Sequence, residues 1–307
     1  MILLWGLSGD TPLDTVAAEL VRLGVPTLFL DQHESSKWSI DLSVGPEISG
    51  SLSHAGKRTK IADITAAYIR PYEARQLPAL ENLSPGSPLL VQFAGLADAL
   101  LGWTEITPAR VVNRPAAMAA NGSKPFQALQ IQSGGFSVPD TLITTDPGAA
   151  LAFWEKHGAV IYKSVSSVRS IVSRLTPAHR ERIKDVRWCP TQFQQFIPGD
   201  DYRVHVVGEK LFPCRVFCEA DDYRYSTHSG LSTKIKRATL PDEIAARCLH
   251  LSAALQLPVA GIDLRRTPSS EWFCFEVNPS PGFTFYQDAT KQPIAAAIAG
   301  FLAGQSK

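Results

Sequence analysis

Three oxygen-bearing side chains near the C-terminus define the chemistry open to this chain. Asp263 lies in Gly261-Ile262-Asp263-Leu264-Arg265-Arg266, and Glu276 and Asn278 lie in Phe273-Cys274-Phe275-Glu276-Val277-Asn278-Pro279-Ser280-Pro281-Gly282. Two carboxylates and an amide oxygen suit Mg²⁺, which takes a few such ligands and leaves its remaining positions to phosphate oxygens and water. Both segments read as β-strands, in which residues two apart share a face. Glu276 and Asn278 then point one way, while Phe273, Phe275 and Val277 form an apolar back. Asp263 shares its face with Gly261 and Arg265. If Thr267-Pro268-Ser269-Ser270 is the hairpin loop, Arg266 pairs with Glu271 and Glu276 falls opposite Gly261. Asp263 and Glu276 are then diagonal neighbours on one face, and a loop one residue longer or shorter separates them. The competing interpretation makes Glu276 and Asn278 solvated positions on a one-sided strand.

Three basic residues could meet phosphate. Lys124 interrupts a helical stretch, and Lys163 ends the apolar strand Val160-Ile161-Tyr162-Lys163 just before Ser164-Val165-Ser166-Ser167-Val168. Arg203 alternates with His205 on a strand whose other face carries Val204 and Val206. A lysine at a strand end beside a turn of small residues suits polyphosphate, because the turn's N–H groups and hydroxyls can cradle oxygens. Taken singly, Lys124 and Lys163 also read as ordinary surface lysines. The stretch from Gln192 to Arg203 joins two strands and would offer backbone groups to an adenine edge and a carboxylate to a ribose, or is a plain strand–turn–strand. There is no GxxxxGK[ST] loop, and Gly6-Leu7-Ser8-Gly9 does not make a GxGxxG fingerprint.

The elements that must position these groups come from an ordinary globular composition. The chain has 307 residues, 45% hydrophobic and 19% charged, with a net charge of +1. That length suits two or three domains, and the charge balance gives no field to recruit nucleic acid or membrane. Cys189, Cys214, Cys218, Cys248 and Cys274 are odd in number and lack CxxC spacing, as expected of reduced thiols. The histidines form no HExxH or HxxxH, which removes most zinc hydrolases. The start has no basic n-region and no stretch approaches the roughly 20 apolar residues of a membrane span. A cytoplasmic location is expected.

The opening reads as strand, helix, strand. Residues 1–7 are apolar, a helix follows with Thr11 as N-cap and Pro12 at its first position, and Val25 to Leu30 is the next strand. This pattern implies a small parallel sheet. Residues 31–60 are Ser- and Gly-rich, suited to loops or edge strands; Ile64 to Arg70 is a strand and Pro88 to Trp103 an apolar helix. The texture changes near Val111-Val112-Asn113-Arg114-Pro115 and again near Pro190. The expected division is 1–110, 111–189 and 190–307, with strands from Thr191 to Ile197, Tyr202 to Val207 and Lys210 to Cys218 in the last unit.

Taken in order, these pieces resemble the ATP-grasp superfamily, in particular its RimK-like branch. The resemblance runs from about Val111 to Thr290. It rests on Asn121-Gly122-Ser123-Lys124 with Val138-Pro139-Asp140-Thr141, on Ile161-Tyr162-Lys163, on Gln194-Gln195-Phe196-Ile197, and on Asp201-Tyr202-Arg203-Val204. Asp222-Tyr223-Arg224-Tyr225-Ser226 and the Asp263, Glu276, Asn278 set complete it. Tyr68-Ile69-Arg70-Pro71 and the N-terminal strand–helix–strand are also similar to graspetide (microviridin-type) peptide maturases. Two positions depart from many relatives: serines follow Lys163 in place of glycines, and Gln195 stands in place of a glutamate.

The resemblance implies an α/β (α+β) ATP-grasp fold behind an N-terminal parallel α/β domain. It implies an ADP-forming carboxylate–amine ligase that works through an acylphosphate on a peptide, protein tail or amino acid. Asp263, Glu276 and Asn278 would hold Mg²⁺, with Mn²⁺ as an alternative, and Lys124 and Lys163 would bind ATP phosphates. Gln194, Gln195, Phe196 and Ile197 would meet adenine, Asp201 ribose, and Arg203 and Arg224 the transferring phosphoryl group. The partners implied are a carboxylate substrate and an amine or hydroxyl acceptor, with a homo-oligomer left open. A kinase on the same scaffold and a nucleotide-binding protein without turnover are the competing readings.

Overall fold

The computed structural model describes residues 1–78, 80–165, 172–217 and 233–305. Its N-terminal unit is built on a parallel sheet. β1 (Ile2–Gly6) is followed by α1 (Thr11–Arg22) and β2 (Thr27–Asp31), then by an antiparallel trio, β3 (Trp38–Val44), β4 (Ile48–His54) and β5 (Lys57–Lys60). β6 (Ala66–Ile69), α2 (Pro88–Ile106) and β7 (Arg110–Val112) complete it, giving the sheet order β2-β1-β6-β7 with every pairing parallel. β1 and β6 are buried on both faces and apolar throughout, as parallel strands covered on two sides must be. The N-cap of α1 is Asp10, not Thr11, and the Asp10 carboxylate is engaged by Arg70 instead of the helix. α2 spans 19 residues and is longer than expected, apolar enough to cross a membrane by length and composition. Its Phe93, Leu96, Leu100 and Trp103 are buried against the N-terminal unit.

The second unit follows a short α3 (Pro115–Met118) and α4 (Lys124–Ser133). It contains β8 (Thr141–Thr144), α5 (Pro147–His157), β9 (Val160–Ser164), β10 (Ser173–Arg174) and β11 (Thr191–Gln195), in the antiparallel order β10-β9-β11-β8. Thr191–Gln195 is thus a strand of this second sheet, whereas the sequence grouped it with the strands that follow. The reason is alternation: Phe193 is buried with Ala150, Val160 and Ile183 in this unit's own core.

The third sheet is antiparallel, with β12 (Asp200–Val207), β13 (Lys210–Phe217), β14 (Lys234–Arg237), β15 (Val259–Arg266) and β16 (Trp272–Asn278) in the order β14-β13-β12-β15-β16. α6 (Asp242–Ala254) precedes β15, and α7 (Thr284–Thr290) and α8 (Ile294–Leu302) end the chain. One face of the sheet is apolar: Tyr202, Val204, Val206, Ile262, Leu264, Cys274 and Val277 pack on Ile244, Cys248 and Leu251 of α6. The other face carries the charged residues. α8 joins this unit to the first, since Ile294, Ile298 and Leu302 share a core with Ile2, Leu13 and Leu20.

Candidate active site

On the polar face of the third sheet, two rows of side chains cross the strands. Arg203 on β12 pairs with Asp263 on β15, and Asp263 pairs with Glu276 on β16. The neighbouring row runs from His205 to Gly261 to Asn278. Asp263 and Glu276 are therefore direct cross-strand partners, not diagonal neighbours. The register explains the difference. Arg266 pairs with Trp272, so the connection is one residue longer than the loop expected from the sequence. A continuous ladder from there would set Asp263 opposite Phe275. Instead the register shifts between Asp263 and Leu264, where Phe275 enters as an extra residue. Such β-bulges re-aim side chains beside functional sites. This one returns Glu276 to the face of Asp263 and leaves Cys274 and Val277 on the core face. Phe273 and Phe275 consequently belong to the polar side and are only partly buried, where an apolar back was expected.

Cations flank the carboxylates. Arg203 Nη1 donates to Asp263 Oδ1 at 2.8 Å, and the arginine is 5% exposed. Its guanidinium lies over Gly261, where a Cβ would sit 2.1 Å from Nη2, and it faces the Tyr286 ring of α7 at 5.7 Å. Lys124 Nζ stands 3.5 Å from Glu276 Oε1. That lysine is delivered by α4, which is fastened to the edge strand β16 by Gln127. The Gln127 amide donates to the Val277 carbonyl at 2.8 Å and accepts from the Val277 N–H at 3.1 Å. His205 is buried against Tyr286, and burial together with the Arg203 charge holds its imidazole well below the usual range. It is neutral at pH 7. Burial pushes the Cys214 thiol up to about 12, so the sulfur beside Arg203 is no nucleophile.

Lys124 also lines a cleft of about 400 Å³ between the second and third sheets. Its walls include Lys163, Gln192, Gln194, Thr141 and Ile143 from the second sheet and Phe275 from β16. The volume and the mixture of apolar walls with a few polar groups are those of a small-molecule site. Gln194 Nε2 donates to Thr141 Oγ1 at 3.1 Å, whereas Gln195 is on the opposite side of β11, its Oε1 accepting from the Asp140 N–H at 3.5 Å. The Phe196 ring is covered by the Arg174 guanidinium at 3.9 Å, and the Ile197 carbonyl accepts from Arg265 Nη1 at 2.8 Å. Both oxygens of Asp201 accept from Arg265, at 2.7 and 3.0 Å.

The structure thus gathers Arg203, Asp263, Glu276, Asn278 and Lys124 on one surface and joins them through Lys124 to Lys163 and Gln194. Gln195, Phe196, Ile197 and Asp201 form the strip connecting the two sheets. Arg224 and the serine-rich turn from residue 166 lie outside the described residues. Sequence reasoning gave no side-chain role to Gln192, Ile143, Gln127 or Asn113. Asn113 donates to the carbonyls of Val259 and Pro279, at 2.6 and 2.5 Å, and so ties the strands that carry Asp263, Glu276 and Asn278 to the end of β7. Its position at the Val112-Asn113-Arg114-Pro115 change of texture was the one available signal. Arg70 reaches the same region from the first unit, pairing with Asp10 at 2.5 Å and donating to Ser280 Oγ at 2.8 Å.

The donor set fits a hard divalent cation that arrives with phosphates. Two carboxylates on adjacent strands and one amide oxygen supply too few ligands for a protein-only cage, as Mg²⁺ sites beside phosphate do. Lys124 and Lys163 place positive charge where phosphate oxygens would lie, and the cleft beyond them has room for a base.

A family model for the RimK-like ATP-grasp domain matches residues 123–302. A probable alpha-L-glutamate ligase of Sodalis glossinidius is 25% identical over 248 residues, 75% of this chain and 80% of that protein. A probable alpha-L-glutamate ligase of Coxiella burnetii is 34% identical over 118 residues, which span 37% of this chain and 38% of that protein. Among solved structures, a RiPP-associated ATP-grasp ligase of Chryseobacterium gregarium, in complex with ADP and a leader and core peptide, superposes with a TM-score of 0.84 at 20% identity, covering 100% of this chain and 97% of that one. The macrocyclase MdnC of Microcystis aeruginosa, bound with precursor peptide MdnA, gives 0.81 at 20% identity over the full length of both chains. The family match covers more than half of the sequence, so the protein belongs to the RimK-like ATP-grasp family and is a ligase of the kind that uses ATP and Mg²⁺.

Proposed function

We propose that this protein is an ADP-forming carboxylate–amine ligase that acts, through an acylphosphate, on a peptide or amino-acid carboxylate. The observation that carries the reading is the continuous row Arg203–Asp263–Glu276–Lys124, which sets one cation on each side of two adjacent carboxylates across β12, β15, β16 and α4 and opens into the cleft beside Lys163. In this reading Asp263, Glu276 and Asn278 hold Mg²⁺, or Mn²⁺ by the same oxygen chemistry. Lys124 and Lys163 hold the ATP phosphates. The base lies between Ile143 and Phe275, with Gln194 and the backbone from Gln195 to Ile197 along its edge and Asp201 near the ribose. Arg203 and Arg224 steady the transferring phosphoryl group.

The substrate carboxylate attacks the γ-phosphorus, the bond to ADP breaks, and an acylphosphate forms. An amine then adds to the carbonyl, loses its proton, and inorganic phosphate leaves. No protein nucleophile is required, in keeping with buried thiols at Cys214 and Cys274 and a neutral buried His205. Catalysis rests on fixed charge. The Arg203 guanidinium is held in one orientation by Asp263 and the flat surface of Gly261. The bound cation would add neutralisation of phosphate oxygens. Binding of leader, core and precursor peptides by structural neighbours that cover the whole chain supports a peptide substrate, and the glutamate ligases support an amino-acid acceptor or donor.

The test is a screen of short acidic peptides and amino acids in which ADP and inorganic phosphate are measured together. A ligase releases both, and only when carboxylate and amine are supplied. ADP release with a phosphorylated product and no free phosphate would show a kinase instead.

A further inference from the structure

Three glutamines on β11 border the cleft strip, and two have their amides engaged. Gln194 donates to Thr141 Oγ1, and Gln195, on the opposite side of the strand, accepts from the Asp140 N–H. The third, Gln192, differs. It is 3% exposed, and its Oε1 has no hydrogen-bond partner among the described residues. A buried amide in this condition loses its hydration and gains nothing in return.

Its direction is fixed. Gln192 lies two residues from Gln194, so both face the cleft, while Phe193 between them points into the core of the second unit. β11 is an inner strand, and Gln192 is held by Ile143 of β8 on one side and Lys163 of β9 on the other. Both neighbours line the cleft. The group that meets Gln192 must therefore enter beside Lys163, between Ile143 and Phe275. An amide offers one acceptor and one donor side by side. The adenine N6/N7 edge presents the reverse pair, a 6-amino donor and an N7 acceptor, and glutamine reads that edge bidentately. Guanine and hypoxanthine present oxygen at C6, which would face Oε1 acceptor to acceptor.

We propose that Gln192 reads the nucleobase, accepting from the adenine 6-amino group through Oε1 and donating to N7 through Nε2, and thereby selects adenine over 6-oxopurine nucleotides. The inference rests on the reading of the cleft as the ATP site. It names a specificity residue that the resemblance did not supply, and it accounts for the unpartnered Gln192 Oε1.

The experiment is calorimetric titration of the full chain, in Mg²⁺, with ADP, IDP and 7-deaza-ADP, for wild type and Gln192→Met. Wild type should bind ADP about tenfold or more tightly than IDP, from the usual worth of a bidentate base contact. It should also bind 7-deaza-ADP several-fold more weakly than ADP. Gln192→Met should lose that preference by weakening ADP while leaving IDP unchanged. An unaltered ADP-to-IDP ratio in the variant overturns the proposal. Should the variant fold poorly, wild type alone decides: equal affinity for ADP and 7-deaza-ADP overturns it as well. Wild type that binds neither ADP nor ATP overturns the ligase reading itself, a result distinct from ADP binding without base preference.

Discussion

Gly261→Ala is the sharpest perturbation of the site, because it adds one methyl group and removes nothing. The new Cβ would lie 2.1 Å from Arg203 Nη2, 2.6 Å from Cζ and 2.9 Å from Nε. Restoring an ordinary contact of about 3.5 Å requires the guanidinium to lift by about 1.4 Å. It cannot do so freely, because Arg203 is buried, bonded to Asp263 Oδ1 at 2.8 Å and covered by Tyr286. Overpacking of this kind costs about 1–3 kcal/mol. A displacement near 1 Å in a positioning group costs on the order of 100-fold in turnover. The assay pairs urea unfolding with ADP release, in a cycle with Arg203→Ala. With the guanidinium gone, the three closest contacts of the added methyl disappear, so Gly261→Ala should cost much less stability in that background. Equal costs in both backgrounds, or wild-type turnover in Gly261→Ala, would refute the argument that Gly261 exists to seat Arg203.

Other outcomes follow from the same geometry. Glu276→Gln and Lys163→Ala should each abolish ADP release while circular dichroism stays that of wild type; measurable turnover in either sinks the site assignment. Arg70→Met should destabilise by about 3 kcal/mol, because it removes the cation paired with the Asp10 carboxylate, whose side chain is 7% exposed, and leaves it the neutral Tyr72 hydroxyl at 3.4 Å. Asp10→Asn added to it should recover part of that loss in urea midpoints. Of the described cysteines, only Cys189 is exposed, while burial pushes Cys248 up to about 12 and Cys274 well above the normal thiol range. Alkylation of native protein at pH 8, read by peptide mass spectrometry, should therefore mark Cys189 and spare Cys214, Cys248 and Cys274.

His205 gives the pH dependence, and its sign follows from linkage. The ring is neutral in the folded state, its affinity for protons lowered well below the ordinary 6.5 by burial and by Arg203. Above pH 6.5 folded and unfolded chains are both neutral there, and the histidine has no effect. Below that value the unfolded chain takes up a proton that the folded chain refuses, so stability falls with falling pH. The limit is about 1.4 kcal/mol per pH unit for one proton. Replacing His205 with Gln removes the titration, so the variant's urea midpoint should decline less steeply than wild type between pH 6.5 and 5. Parallel curves would show that His205 is protonated in the fold and that its burial has been misread.

Much of this site was legible from alternation alone. Residues two apart on β12 place Arg203 and His205 together, and on β16 Glu276 and Asn278, because the period of a strand is a local property. What alternation cannot supply is register. Whether Asp263 meets Glu276 depends on the length of a connection and on whether the ladder is continuous, and a change of one residue in either inverts the answer. Here both departed from expectation, and the departures cancel. The longer connection would have sent Glu276 away, and the bulge at Phe275 brings it back. That cancellation is why a wrong loop still set Asp263 and Glu276 on one face, and why Phe275, read as packing, faces the cleft. Gln127 and Asn113 were illegible for a related reason: each bonds backbone more than a hundred positions away, at Val277 and Val259, and neither amide has a local partner to betray it. The same holds for Gln192, which the sequence shows as one polar residue among several on a strand. Only the packed structure reveals that two neighbouring amides are engaged and that the buried Oε1 of this one has no partner among the described residues.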